Sequence, residues 1–194
     1  SGRPGEPTKA NCPYVDFCKA LVAAVGTMAA LLARFQSGQG KEVRASLLAT
    51  ALPVANGAII EQAMTHPDRV ASLNRSQTQA PSDAYRTRDG WVFVQCIGQP
   101  LFKRWADLMG EPNWLEDPRF VNDKTRGDHG ELISERMVAW CSTRTSAEVL
   151  SELEQVKIPA GPVLSPQQVL EDAHVKATGF LRGLTVPGST AEAP

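Results

Sequence analysis

Apolar side chains recur at three- and four-residue intervals along residues 15–35, the spacing that places them on one face of an α-helix. Residues 37–40, Ser-Gly-Gln-Gly, end this predicted helix because they tolerate left-handed backbone geometry. Residues 41–45 then alternate in polarity as a short strand does. The positions that form the apolar face are Leu21, Ala24, Val25, Met28, Leu31, Leu32 and Phe35.

A second apolar stretch, residues 46–64, contains Pro53 and Gly57 and therefore predicts a kinked or broken helix. Its low charge indicates that it packs against partners. Residues 66–81 have little apolar content and many Pro, Asn, Ser and Gln residues, a composition typical of a linker. We place a domain boundary in this linker.

The strongest hairpin signal lies where Asp89-Gly90 separates residues 84–87 from residues 91–96, because Asp-Gly favours a tight turn between strands. Downstream, Ser165 and Pro166 provide an N-cap and a first helical residue for a helix that ends near Asp172. The remaining predictions are helices over 99–109, 130–141 and 146–155, an extended segment over 156–163 and a strand within 180–186.

Composition and charge restrict the partners of the chain. Of its 194 residues, 42% are hydrophobic, and 20 Lys and Arg residues balance 21 Asp and Glu residues. This composition predicts a soluble globular protein, and the balance argues against general attraction to nucleic acid or anionic lipid. The longest apolar stretch, residues 20–33, is shorter than the ~20 residues that span a bilayer. We therefore predict a buried helix there, with no nucleic-acid and no membrane partner.

Cysteines and histidines give no metal-site signal. The four cysteines have no pair at metal-ligand spacing, which predicts reduced thiols in a cytoplasmic protein and no bound metal. His66, His129 and His174 lie in polar loops or at helix ends, where we expect capping or solvated roles. Residues 1–7 contain neither an initiator Met nor a signal peptide, so we expect the chain to begin inside a longer protein.

Asp16 stands apart among the acidic residues because it opens the long apolar helix. A carboxylate there caps free backbone N–H groups and interacts favourably with the helix dipole. The same environment keeps a carboxylate ionised, as a nucleophile requires. On this basis alone, a plain N-cap role and a functional role are both open. Signatures of phosphate-binding loops and of serine nucleophiles are absent from the sequence.

Two sets of motifs resemble the class III CoA-transferases, the CaiB–BaiF or formyl-CoA transferase family. In the first set, residues 14–16 precede Gly26 and the segments 28–34 and 37–43, similar to the family's aspartate, alanine-rich helix and glycine-containing turn. The second set resembles the family's small domain. It comprises residues 80–92, 114–120 and 158–163.

The resemblance implies an α/β fold class, namely a fragment of a Rossmann-like large domain plus a smaller α+β domain, in interlocked homodimers. The implied boundaries are 1–66 for the C-terminal part of the large domain, 67–82 for the linker, 83–178 for the small domain and 179–194 for the start of the return to the large domain. The N-terminal half would carry most groups that bind the CoA nucleotide. The residues that bind CoA are therefore left unassigned.

The family's chemistry implies that Asp16 attacks an acyl-CoA donor, forms an aspartyl-CoA intermediate and passes CoA to a carboxylic acid acceptor. The CoA thioester is then a substrate, and neither a permanently bound cofactor nor a metal is required. Gln95, Gln99 and Pro162 are weak candidates for the acyl pocket. Ala20 replaces a common family glycine, and the linker 74–81 has no glycine, which argues against oxalate or formate as the substrate.

Two other functions are compatible with the sequence. α-Methylacyl-CoA racemases share the architecture and use an aspartate at the position of Asp16 with an upstream histidine to move an α-proton. Alternatively, the chain is an inactive fragment that acts as a dimerisation module.

Overall fold

A computed structural model of the chain describes residues 2–185, 188 and 192–193. The chain divides into two compact units, Ser1–Leu73 and Asn74–Pro194. The fold is mixed α/β, mostly helical with a small antiparallel sheet, in agreement with the predicted class.

The first unit consists mainly of three helices. The predicted helix and the predicted broken helix are both confirmed, and the break after Pro53 bends the chain by 68°. Ser46 caps the second helix because its side chain accepts a hydrogen bond from the N–H of Ala49. The elements are β1 (Gly2–Arg3), β2 (Glu6–Pro7), α1 (Tyr14–Ser37), α2 (Leu47–Val54) and α3 (Asn56–Thr65).

Two expectations for the first unit are wrong. Residues 41–45 do not form a strand, because no segment of the described chain lies beside them to complete a hydrogen-bonded ladder. The helix predicted to be buried has no buried residue, and Phe35 is 87% exposed.

Residues 20–33 also belong to a longer helix, because α1 has 24 residues. By length and composition, α1 and the bent α2–α3 pair are each apolar enough to cross a membrane, a test that core helices of soluble proteins also pass.

The second unit is built on an antiparallel sheet whose three strands lie side by side in chain order, which confirms the hairpin at Asp89-Gly90. Tyr85, Val92 and Val94 project from one face of the sheet into the core. Helices pack on that face. The strands and the central helices are β3 (Ser82–Arg86), β4 (Trp91–Gln95), β5 (Ala160–Pro162), α4 (Gln99–Met109), α5 (Asp123–Asp128), α6 (Gly130–Ser142) and α7 (Ser146–Gln155).

The predicted helices of the second unit are confirmed, including the one that Ser165 and Pro166 open. In the predicted strand at 180–186, only Leu184–Thr185 is a strand, and Val186 lies outside the described residues. The remaining elements are 3-10 helices Pro112–Leu115 and Pro118–Phe120, α8 (Pro166–Glu171), α9 (Ala173–Thr178), β6 (Leu184–Thr185) and β7 (Glu192–Ala193).

A buried cation lies beside the aromatic core of the second unit. Arg126 is fully buried and donates hydrogen bonds to Asp123 at 2.5 Å and to the carbonyl oxygen of Phe120 at 2.7 Å. Its guanidinium carbon is 4.5 Å from the centre of the Phe102 ring. Asp123 also accepts a hydrogen bond from the N–H of Gly98. This network joins α5 to the start of α4 and to the 3-10 helix before α5.

Candidate active site

Asp16 lies in the first turn of α1, at the third helical position, and its side chain is exposed. Its backbone N–H donates to the carbonyl oxygen of Pro13 at 3.0 Å. Pro13 is the N-cap residue, and no side chain caps this end of the helix. The N-cap interpretation of Asp16 is therefore wrong. Its carboxylate lies near the positive end of the helix dipole but does not cap a backbone N–H group.

The surroundings of Asp16 are open and mixed in polarity. Tyr14 and Phe17, on either side of it in the first turn, are both exposed. Cys18 and Lys19 are partly buried, and Ala20 is exposed. Lys19 and Ala20, three and four residues on, share the side of the helix that carries Asp16, so the carboxylate lies on an open surface that also contains a lysine.

Gly26 permits close packing between α1 and the segment that follows it. A Cβ atom at this position would lie 2.9 Å from Cγ1 of Val43, closer than real Cβ atoms approach their neighbours. At the end of the helix, Gly38 adopts a left-handed conformation and its N–H donates to the carbonyl oxygen of Arg34 at 2.8 Å. Gly38 therefore ends α1, and Gly26 lets the segment that follows pack closely against the helix.

The thiols are poor candidates for chemistry. Burial raises the pKa of Cys96 and of Cys141 to about 12, so both are protonated near neutral pH. Cys12 and Cys18 are more accessible. All four cysteines are free, and the described residues contain no group of His, Cys, Asp and Glu side chains able to hold a metal ion.

Of the weak pocket candidates, Gln95 and Pro162 are exposed on the small sheet, on β4 and β5. Gln99 begins α4 and accepts a hydrogen bond from Arg126 at 2.7 Å, which gives it a structural role. Two open surface grooves of about 540 and 580 Å³ flank Lys157 in the second unit. None of the predicted site residues lines either groove.

Sequence reasoning missed an exposed cation–π pair on the sheet. Arg86 is opposite Trp91 in the β3–β4 register, and its guanidinium carbon is 5.6 Å from the centre of a Trp91 ring. The hairpin motif indicated that the two strands pair but not this register, because residues 87–90 all lie between Arg86 and Trp91, whereas a two-residue turn at Asp89-Gly90 would place Arg88 opposite Trp91.

Comparison with known proteins identifies the class. The sequence model of CoA-transferase family III matches residues 1–194, and the chain belongs to this family. It is 30% identical over 182 residues to succinyl-CoA–D-citramalate CoA-transferase of Chloroflexus aurantiacus, a match that covers 93% of the chain and 45% of the relative. Formyl-CoA:oxalate CoA-transferase of Bradyrhizobium diazoefficiens is 28% identical, with 91% and 47% covered. The chain thus spans about half the length of the curated relatives it matches.

Solved structures agree on the fold. A CaiB/BaiF family protein from Brucella suis matches with a TM-score of 0.69 and 22% identity, covering 95% of this chain and 48% of that one. Rv3272 from Mycobacterium tuberculosis matches with a TM-score of 0.75 and 23% identity, covering 100% and 51%. The predicted kinship with the CaiB–BaiF proteins is confirmed.

Proposed function

We propose that the protein transfers CoA from an acyl-CoA donor to a carboxylic acid acceptor, with Asp16 as the nucleophile. Family membership over residues 1–194 is the observation that carries this proposal. The position of Asp16 adds support, because its exposed carboxylate lies in the first turn of the 24-residue helix α1. The dipole of such a helix stabilises negative charge at this end, and the anion is the nucleophilic form of a carboxylate.

In the proposed first half-reaction, a carboxylate oxygen of Asp16 attacks the thioester carbonyl carbon, and the carbon–sulfur bond breaks to release CoA thiolate. The thiolate then attacks the Asp16 carbonyl of the mixed anhydride. The donor acid leaves as its carboxylate, and an aspartyl-CoA thioester remains. Each step exchanges one acyl bond for another, so no oxidant and no net proton transfer is needed.

The second half-reaction runs the same steps in reverse with the acceptor. Its carboxylate attacks the aspartyl thioester, and the released thiolate attacks the acceptor carbonyl of the new anhydride. The acceptor leaves as its CoA thioester, and the Asp16 carboxylate is regenerated. Backbone N–H donors that stabilise the oxyanions would lower both barriers.

For the substrates, we propose dicarboxylic acids larger than oxalate. The two relatives from Chloroflexus aurantiacus are named for succinyl-CoA with D-citramalate and with L-malate. The linker 74–81 contains no glycine, which disfavours the oxalate and formate chemistry of other relatives. CoA is a substrate in this scheme, and the chain needs no permanently bound cofactor.

We also propose a cytoplasmic, interlocked homodimer as the working form. The exposed apolar side chains of α1, among them Leu21, Val25 and Leu32, support an assembly that covers this helix. The free state of all four cysteines is compatible with a reducing compartment.

Isotope exchange tests the transfer. The protein is incubated with succinyl-CoA and radiolabelled succinate, and the label is followed into the CoA ester. We expect exchange that Asp16→Asn abolishes and that Asp68→Asn, a change in an exposed carboxylate of the same unit, leaves intact. Absence of exchange in the unmodified protein, or equal exchange in Asp16→Asn, would contradict the proposal.

The same samples distinguish transfer from racemisation. With a 2-methylacyl-CoA in D₂O, a racemase introduces deuterium at the α-carbon, whereas a transferase leaves that carbon unlabelled. We expect no incorporation, and a mass increase in the recovered ester would favour the racemase.

A further inference from the structure

One face of the β3–β4–β5 sheet is open. Val92 and Val94 are buried on the core face, whereas Trp91 and Phe93 on the opposite face are each 41% exposed. Phe93 lies between two small residues in the register, Ala84 on β3 and Gly161 on β5. A Cβ atom added to Gly161 would have no neighbour within 4 Å. The open face is therefore an accessible, partly aromatic platform.

A cation lies at the edge of this platform. The guanidinium carbon of Arg86 is 5.6 Å from the centre of a Trp91 ring, and the side chain is exposed. Among residues 2–185, 188 and 192–193, no carboxylate is within ion-pair distance of Arg86. Seven other arginines in these ranges do form ion pairs. They are Arg44, Arg69, Arg75, Arg119, Arg126, Arg136 and Arg144.

We propose that Arg86 and the Trp91–Phe93 platform bind the free carboxylate of a dicarboxylic acid or of its CoA ester. The choice of ligand rests on the proposed function, because a dicarboxylic acid joined to CoA through one carboxyl group retains the other as an anion. A guanidinium binds a carboxylate through two parallel N–H···O bonds. The aromatic rings provide an apolar floor for the carbon chain between the two carboxyl groups.

Charge complementarity favours this ligand over an apolar protein partner. The Trp91 ring holds Arg86 by a cation–π contact, and the described residues leave its N–H donors without an anionic partner. An apolar partner would bury this guanidinium without a counter-charge, which is costly. A small anion provides the counter-charge that the guanidinium needs.

Ligand binding to the full chain tests the site without any turnover. The probes are succinate and butyrate, of which only succinate has a second carboxylate. The readout is the fluorescence of Trp91, which is the part of the tryptophan emission that is absent from the Trp91→Phe variant. We expect succinate, but not butyrate, to change this emission. Arg86→Gln should weaken succinate binding roughly tenfold or more, on the scale of a charge-assisted hydrogen bond. Arg86→Lys should restore part of it, and Arg88→Gln, a change in a neighbouring exposed arginine, should have no effect.

Several results would overturn the site. Equal responses to succinate and butyrate would do so, as would unchanged binding in Arg86→Gln. Sedimentation of the same variants tests the alternative that a second copy of the chain covers this face. If succinate does not bind and Arg86→Gln dissociates a dimer, the face is a contact between two copies of the chain. Asp16→Asn separates this inference from the proposed function, because the variant should lose transfer and retain succinate binding.

Discussion

A Cβ atom added to Gly127 would lie 2.4 Å from the carbonyl oxygen of Gln77. Helix α5 therefore packs directly on the backbone of the segment that leads into β3. Only glycine fits at this contact, because the opposing atoms belong to the main chain and have no rotamer by which to move.

Gly127→Ala should accordingly destabilise the second unit by about 1–3 kcal/mol, the usual cost of overpacking. Urea denaturation followed by far-UV circular dichroism measures the change. Gly161→Ala is the matched control because its added methyl group meets open space. Equal midpoints for the wild type and Gly127→Ala would show that α5 does not contact this backbone.

Arg126→Met should be more disruptive. It removes the buried guanidinium that bonds to Asp123 and to the carbonyl oxygen of Phe120. The carbonyl oxygen loses this donor, and Asp123 retains the N–H of Gly98. Removing one partner of a buried ion pair typically costs about 3–5 kcal/mol. Asp123 is one-third exposed, so we expect the lower end of that range in urea denaturation.

The control for Arg126 is Arg119→Met. Arg119 is 49% exposed and pairs with Asp117 at the surface, where such pairs contribute roughly 0–1 kcal/mol. If the two variants unfold at the same urea concentration, the buried network contributes no more than a surface pair does.

We expect Asp89 to make the stability of the second unit depend on pH in the acidic range. Its carboxylate accepts hydrogen bonds from the N–H of Ser146 at 2.7 Å and from the Ser146 hydroxyl at 3.0 Å, and these bonds hold the pKa of Asp89 below its ordinary value. A lowered folded-state pKa means that the stabilisation is full above the unfolded value of about 3.9 and is lost as the pH falls through the folded value.

Urea denaturation at a series of pH values checks this dependence. In Asp89→Asn, the fall in unfolding free energy below about pH 4 should be shallower than in the wild type. Parallel curves for the two proteins would mean that Asp89 does not couple the hairpin turn to the start of α7.

Thiol labelling should follow burial. We expect Cys12 to react with iodoacetamide first, because it is exposed, and Cys96 and Cys141 to react last, because burial raises the pKa of both thiols to about 12. Peptide mass spectrometry over a time course reads the order. Rapid labelling of Cys96 or Cys141 in the folded protein would contradict the buried positions.

The sequence predicts the second unit well because its signals are local. Asp89-Gly90 specifies a tight turn between alternating strands, and Ser165-Pro166 specifies a helix start. Each signal acts within a few residues, so it does not depend on distant parts of the chain.

The failures involve distant partners. Residues 41–45 have the alternation of a strand, but a strand also needs a neighbour, which the pattern does not specify. The apolar face of α1 is exposed rather than buried, and periodicity indicates which side of a helix is apolar and not what covers it. The fully buried Arg126 was missed for the same reason, because its partners Phe102 and Phe120 meet it only in the folded core.

For the candidate site, the sequence indicated Asp16 at the start of a helix, but only its structure distinguishes the N-cap from the third helical position. The helix begins at Tyr14, two residues before Asp16, so Pro13 is the N-cap residue. The chemical role of Asp16 comes from the family resemblance, since many helices carry an acidic residue in the first turn for electrostatic reasons alone.

Trapping the covalent intermediate tests the central claim most directly. The protein is mixed with succinyl-CoA and then hydroxylamine, which converts an activated aspartyl group to a hydroxamate, and the peptide that contains residue 16 is sequenced by mass spectrometry. We predict a hydroxamate on Asp16 that is absent without acyl-CoA and absent in Asp16→Asn. An unmodified Asp16 during measurable CoA exchange, or a hydroxamate only on another residue, would contradict the assignment.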